Sequence, residues 1–582
     1  MPNLENQRVV QNAQRKLQRG KPQAAVKAAI AGLKKFPNDK SLMNLAGIAL
    51  TQAGDHKAAA KVYSELHKLN SNSLEIRMSF GLSLVHARHS DTARDWVSKW
   101  LDTEPESSSL RFLSAVVAVD QLDFEKAASE ATLALAANPN MGRSLAIRGL
   151  ARFELKQFEK ALEDFQRYDR LEPRKLETLL NIGFCYNSMR LNREAIKTFQ
   201  KCVELFPNDV SSRTNLAMSL EQSGEMQAAL SEFNKVLQLT PTNWTTIARI
   251  VELNSIEQNR EFEGYVRKHL RKIRKNSPEE IWAALAIAKL LSKNDKWAEA
   301  EGFYQRSNTL RSASRPYFPK NADDRLAATF ELFPPDQKTR AGGDTNLPRP
   351  IFVIGQPRSG TTLMEMMISS HPDVVGLGEF GAIEEVALLA LSEGVSYPKR
   401  HARAFRSELP NHVSRYKAFV DKMPANYMFV GFLAEAFPDA KFIHIERDPR
   451  EVAISMWKNH FAGEFTTYTS DFSWMAHAAN TYRRYMLRWE ELYPQRILSV
   501  SYKDIVRDTE NLSRKVADFC ELEWDILMTK PEKSETMVQT ASVVQVRQQI
   551  HERSLGSWKQ HASLLRPFME GLDFDLWPEV IR

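Results

Sequence analysis

Cysteine is scarce in this chain: Cys185, Cys202 and Cys520 are the only three in 582 residues, and no two form a C-x-x-C pair. That excludes a disulfide framework and gives no support to a structural zinc site. Long apolar runs are missing too, so no transmembrane helix is expected. The opening Met1-Pro2-Asn3-Leu4-Glu5-Asn6-Gln7-Arg8 is polar and lacks the apolar core of a signal peptide. Together these absences point to a reducing cytoplasm. A strong excess of one charge is also lacking. Lys and Arg number 79 against 72 Asp and Glu, a net charge of +7 that suits anionic ligands but makes no case for nucleic acid. The remaining composition, 43% hydrophobic and 26% charged, is that of an ordinary globular protein. The length exceeds one core's usual size, so several domains, or a domain plus a solenoid, are expected.

What is present in the first half is a ruler. Proline falls at 37, 105, 139, 173, 207 and 241, each interval being 34 residues or twice that, with Ser71 at the skipped position. A second register holds small residues: Ala13, Gly47, Gly81, Ala115, Gly149, Gly183 and Ala217. A third is alanine throughout: Ala25, Ala59, Ala93, Ala127, Ala161, Ala195 and Ala229. Two helices of a hairpin approach closely only where side chains are small, and a proline ends the second helix before the next unit begins. The pattern resembles the tetratricopeptide repeat, a helix–turn–helix unit with this period. After Pro241 the ruler slips. Ala288 and Ala300 fit a further unit displaced by three residues, with Trp297 leading into its second helix, and residues 244–280 keep a degenerate helical pattern. Solenoids often close with such atypical units. Phe124, Phe158, Phe165, Phe199 and Phe206 recur at similar places and are expected in the core. An all-α tetratricopeptide solenoid is therefore expected over residues 6–310. Its concave face would hold a peptide or protein; a scaffold or a homodimer contact is the other use open to it. Residues 311–348, with Pro334-Pro335 and Gly342-Gly343, read as a linker in which Leu326–Phe330 could form a short helix.

The second half, residues 349–582, contains three β-like runs: Ile351–Ile354, Lys441–Ile445 and Arg496–Val500. Helical stretches separate them, which predicts a parallel sheet covered on both faces, with ligands at the carboxyl ends of its strands. The first run breaks into Gly355-Gln356-Pro357-Arg358-Ser359-Gly360-Thr361-Thr362-Leu363 and then a helical pattern. Strand, glycine-rich turn and helix make a phosphate cradle of backbone N–H groups. Gly355 and Gly360 stand where G-x-x-x-x-G-K-[ST] has its glycines, but Thr361 replaces the lysine. The group that would reach a β- or γ-phosphate is gone, and Arg358 inside the loop is the fixed cation instead. An isolated loop of this kind would read as a plain tight turn.

Pro357-Arg358-Ser359-Gly360-Thr361-Thr362-Leu363 resembles the loop of sulfotransferases, the enzymes that use 3′-phosphoadenosine 5′-phosphosulfate (PAPS). With Gly378-Glu379 following, it resembles the tyrosylprotein sulfotransferases and their bacterial relatives. The resemblance implies an α/β, P-loop-like, three-layer parallel-sheet domain in which Arg358, Ser359, Gly360, Thr361 and Thr362 hold the 5′-phosphate and sulfate end of PAPS. It implies that Arg447 and Ser455, eight residues apart, grip the 3′-phosphate, as the planar fork of arginine suits. A third basic residue of some relatives is Asn459 here, with Lys458 beside it. Tyr502 matches a tyrosine near the adenine nucleotide, and Ser542 a serine that contacts the departing phosphate. Arg547, Arg553 and Lys559 are the basic residues of the segment that would cover the donor. The proton of the acceptor hydroxyl must go to a base. The resemblance assigns Glu379 to that role, and Lys422, of Lys422-Met423-Pro424, to stabilising the bridging oxygen with Arg358 and Ser542. No metal is implied; His371, His444, His460 and His477 lack ligand spacing and are expected to be structural.

A PAPS-dependent sulfotransferase whose repeats select a peptide or protein tyrosine is the reading these residues favour. An interaction protein with an inactive or nucleotide-sensing transferase half is the rival from another class. Carbohydrate or small phenols remain alternative acceptors. A P-loop kinase suffers from the missing lysine and the lack of a clear Walker-B acid.

Overall fold

The repeat register becomes helix caps. A computed structural model describes residues 2–335, 348–461, 463–534 and 543–580. Asp39, Ser73, Asp209 and Asn243 lie at multiples of 34 residues from one another, and each side chain accepts a backbone N–H three residues on, opening a first helix. Such a cap satisfies one orphan donor of the helix start and contributes ~1 kcal/mol. The small residues do what their spacing predicts. A Cβ on Gly47 would stand 2.4 Å from the Tyr63 ring, and one on Gly81 would stand 2.4 Å from Leu113. Phe165 and Phe199 are buried, while Phe124, Phe158 and Phe206 are partly so.

The chain divides into two compact units, Met1–Leu191 and Asn192–Arg582. The first is all helix, from Pro2–Gln18 to Leu176–Ser188. The second opens with further helical repeats. It passes through Trp244–Leu253, Ile256–Leu270, Pro278–Lys293 and Trp297–Ser314, and then builds an α/β lobe. Within the stretch read as a linker, Pro319–Leu332 is a helix that includes Leu326–Phe330. Thr329 Oγ1 lies 3.4 Å from the Tyr485 hydroxyl, and Phe333, fully buried, packs against Phe432 and Trp489.

Among the described residues the lobe has five parallel strands: β1 (Arg349–Gly355), β2 (Val374–Gly376), β3 (Ala418–Asp421), β4 (Lys441–Glu446) and β5 (Ile497–Ser501), in the order β2-β3-β1-β4-β5. β1 is central and lies opposite Ile445 at Gly355. Its alternate residues face two layers. Ile351 and Val353 join an aliphatic core with Met364, Met367 and Val516. Phe352 faces the other way, against Phe405 and Phe442. All five strands run the same way, so the turns that leave β1, β3, β4 and β5 collect along one edge. No helix among the described residues is long and apolar enough to cross a membrane. The three cysteines are buried and unpaired, and burial pushes the Cys185, Cys202 and Cys520 thiols up to about 12, 11 and 12.

Candidate functional site

The turn after β1 is a cradle because three residues in six take backbone conformations rare for side chains: Gly355 (φ 155°), Arg358 (φ 71°) and Gly360 (φ 115°). Gly360 caps the helix Thr361–Ser369. A Cβ there would stand 2.5 Å from the Tyr502 ring, so this place demands glycine on two counts. The first helical turn, with buried Thr361 and Thr362, presents backbone N–H groups and the positive end of the helix dipole.

Two arginines meet beside this turn. Arg447, leaving β4, donates from Nη1 to the backbone oxygen of Arg358 at 3.2 Å and lies 4.1 Å over the Tyr502 ring. Asp448 caps the next helix, Pro449–Trp457, by accepting from Arg450 N, and Pro449 fills its first position. That turn sets Arg447 at the strand end and Ser455 two turns along. The Ser455 hydroxyl accepts from Arg358 Nε at 3.0 Å, so the arginine–serine spacing serves the loop cation. Burial, and then the guanidinium of Arg447, push the Arg358 pKa down to about 10. Arg447 itself is paired with buried Glu451 at 2.8 Å. Gln545 Oε1 accepts from Arg358 Nη2. Sequence reasoning missed Gln545; its partner, 187 residues away, leaves no local pattern.

A cavity of about 270 Å³ opens here, lined by Gln356, Ser359, Glu446, Arg447, Tyr482 and Trp577 among others. Ser359 is 1% exposed, and its hydroxyl has no hydrogen-bond partner among the described residues. A buried polar group left unmade costs ~1–3 kcal/mol. A phosphate oxygen at this cradle would accept from it, so the turn fits an anion.

The acceptor-side candidates also come together. Lys422, at the end of β3, is wholly buried; its Nζ lies 2.7 Å from Glu379 Oε1 and 4.0 Å from Oε2 of Glu365 in the loop helix. Glu379 keeps 41% of its side chain exposed. One cation thus ties the exposed carboxylate to the helix that follows the cradle. Asp421, next to it, accepts from Phe380 N at 3.3 Å and from Asn426 Nδ2 at 3.0 Å. Neither Glu365 nor Asp421 was visible as a site residue, because β3 is four residues long and Glu365 reads as part of a helix.

Burial pushes the Asp421 carboxyl up to about 7, against the pull of those two hydrogen bonds. The folded protein therefore binds this proton more tightly than the unfolded chain, whose Asp titrates near ~3.9. Asp421 favours the fold most at low pH, and that contribution is lost as pH rises through 7. Asp421→Asn should flatten this part of the pH dependence, read as urea midpoints of parent and variant from pH 5 to 8. A constant difference between the two across that range would contradict the assignment.

Of the other expected residues that the structure describes, Tyr502 joins the cradle and the rest do not. Tyr502 is clasped between Gly360 and Arg447, with its hydroxyl 3.1 Å from Ser554 Oγ. Arg547 turns away from the cradle. It donates to Ser534 O and, at 3.2 Å, to Gln222 O at the end of the repeat helix Val210–Ser223. Arg553 and Lys559 are exposed. Ser542 lies outside the described residues. Lys458 is partly buried, its Nζ 2.9 Å from His561 Nε2 and 4.4 Å from the Trp297 ring centre, and desolvation pushes its pKa down to about 8. His444, Glu446 and Glu490 place ligand atoms within 4.8 Å of one another. Protein groups engage all three: Tyr482 and Ser499 for His444, Ser499 for Glu490, and Arg483 for Glu446.

A cradle of this shape at the centre of a parallel sheet defines an α/β domain of the P-loop-like class. The sulfotransferase family model matches residues 350–526, and tetratricopeptide-repeat models match residues 10–73, 112–174, 177–209 and 210–243. The chain carries a sulfotransferase-family domain behind an array of tetratricopeptide repeats. It is 30% identical to an uncharacterized protein of Aquifex aeolicus over 50% of this chain and 41% of that one. It is 26% identical to protein-tyrosine sulfotransferase A of Caenorhabditis elegans (37% and 63%) and 30% identical to protein-tyrosine sulfotransferase 1 of Danio rerio (30% and 54%). The chain thus spans less than two thirds of the length of these relatives. A solved tetratricopeptide-repeat protein from Parabacteroides merdae is 12% identical with a TM-score of 0.34, over 42% of this chain and 97% of that one.

Proposed function

We propose that this protein is a PAPS-dependent sulfotransferase that acts on the phenolic hydroxyl of tyrosine in a peptide or protein held by the repeats. The observation that supports it most is the buried Lys422. It pairs with exposed Glu379 and reaches toward Glu365 of the loop helix, beside a cradle that has two arginines and no Walker lysine. Three buried, unpaired thiols suit a reducing compartment such as the cytoplasm.

PAPS supplies an activated sulfuryl group. The acceptor oxygen forms a bond to sulfur as the bond from sulfur to the bridging oxygen breaks. The acceptor's proton passes to the Glu379 carboxylate, and the bridging oxygen leaves with the electron pair on the adenosine 3′,5′-bisphosphate (PAP). Lys422, Arg358 and the backbone N–H groups after Gly360 are fixed positive groups for that developing charge, the kind of preorganised stabilisation that lowers such a barrier most. Ser542 is assigned to the same oxygen. Arg447 and Ser455 are assigned to the 3′-phosphate, and Tyr502 to the nucleotide. Arg547 and Lys559 are assigned to the covering segment. A phenol with pKa about 10 gives up its proton more easily than an aliphatic alcohol, so a carboxylate can serve as the base.

The test is to incubate the full chain with labelled PAPS and a panel of tyrosyl peptides, glycans and small phenols. Label on tyrosine is expected. Label confined to glycan or to small phenols would overturn the acceptor, and no transfer to any of them would favour an interaction protein with an inactive transferase half.

A further inference from the structure

The helices that close the repeat array reach the anion-binding lobe of the same unit. Lys289 belongs to the helix Pro278–Lys293 and Glu252 to the helix Trp244–Leu253. Lys289 Nζ lies 2.9 Å from Glu252 Oε1 and donates to Asn459 Oδ1 at 3.0 Å. Asn459 Nδ2 donates to the backbone oxygen of Ser455 at 2.9 Å, and the Ser455 hydroxyl accepts from Arg358 Nε at 3.0 Å. Hydrogen bonds at Asn459 and at both the carbonyl and the hydroxyl of Ser455 therefore link the repeats to the loop cation.

The last repeat helix grips the same place. Asn308 Nδ2 donates to Trp457 O at 2.9 Å, and Arg311 Nη1 donates to Asn459 O, also at 2.9 Å. These are carbonyls at the end of the helix Pro449–Trp457, where the helix itself supplies no partners and positive charge is favoured. Lys289 keeps only 15% of its side chain exposed, which is costly for a cation without a specific partner. Burial alone would raise the Glu252 carboxyl; Lys289 and Lys293 outweigh it and hold the group near 2.

We infer that the repeat array sets the position of the loop cation. Lys289, neutralised by Glu252, is a positioning residue that acts on Arg358 through Asn459 and Ser455. The inference rests on the proposed function only for the identity of the ligand. It gives the closing repeats a role in transfer itself, separate from any hold they have on an acceptor.

The test uses the full chain in four forms: the parent, Lys289→Met, Lys289→Arg, and Glu252→Gln combined with Lys289→Met. The double variant also removes the carboxylate that the single one leaves with Lys293 alone, 3.1 Å away. Hydrogen exchange of the backbone amides of residues 356–364 is read without ligand. Then PAP is titrated by calorimetry. Members of one hydrogen-bond network couple strongly enough for ~10-fold effects. Exchange in that segment is expected to be ~10-fold faster in Lys289→Met and in the double variant, and near the parent's rate in Lys289→Arg. PAP affinity is expected to fall ~10-fold in both Met-containing variants, even where the double variant recovers the parent's melting temperature. Unchanged exchange in the double variant overturns the inference whatever the PAP affinity does. A parent that does not bind PAP, yet shows the exchange difference, removes the proposed function and leaves the positioning role standing.

Discussion

Glu379→Gln is expected to bind PAP as the parent does and to turn over ~10²–10⁴-fold more slowly. The substitution is nearly isosteric. A glutamine oxygen still accepts from Lys422 Nζ, now 2.7 Å from Glu379 Oε1, so the buried lysine keeps a partner and the segment after β2 keeps its place. What disappears is the ability to take a proton. The exposure of Glu379 gives an acceptor hydroxyl access to it, while Lys422 beneath is sealed from water. A fixed cation there keeps its effect on developing negative charge because no solvent rearranges around it. The measurement is turnover with labelled PAPS and the acceptor found by the panel, beside a calorimetric titration with PAP. Unchanged turnover would reject Glu379 as the base. Loss of PAP affinity in proportion to turnover would make its role structural.

Arg447→Ala is expected to weaken PAP binding by ~10–100-fold, the range of one or two hydrogen bonds to a charged group. It should also remove the preference for PAP over adenosine 5′-phosphate. Three of the five guanidinium N–H groups already have partners in Glu451, Arg358 O and Ser554 O. The single variant is also expected to unfold more easily. Glu451 is 5% exposed, and removing its partner strands a buried carboxylate, a change that typically costs ~3–5 kcal/mol. Glu451 also accepts from Gly556 N, which softens the loss. Combining Arg447→Ala with Glu451→Gln separates the two effects: stability should return and PAP affinity should not. A parent with equal affinity for PAP and adenosine 5′-phosphate would defeat the assignment of Arg447 to the 3′-phosphate.

The repeats were legible because each copy states the same rule again. One glycine means little; seven small residues in phase mean a close helix contact, and Gly47 against Tyr63 shows why. The strand–turn–helix at Gly355–Thr361 was legible because its glycines and apolar run are contiguous. The three strands of five or more residues could be seen, whereas β2 and β3, three and four residues long, are too short to show a period. The site was legible where a motif is local: Arg447, Asp448 and Pro449 make a strand end, a cap and a first turn. It was hidden where contacts span the chain. Gln545 meets Arg358 across 187 residues, and Lys289 meets Asn459 across 170. Asn459 itself was read only as a gap in a basic pattern. Its role shows once the fold brings a lysine from the repeats to its side-chain oxygen.

The central claim is that the turn after β1 holds an adenylate-linked phosphosulfate, not a nucleoside triphosphate. Calorimetric titration of the full chain with PAP and, separately, with ATP tests it most directly. PAP should bind with clear saturation and ATP much more weakly. Tight ATP binding with no response to PAP would contradict the account.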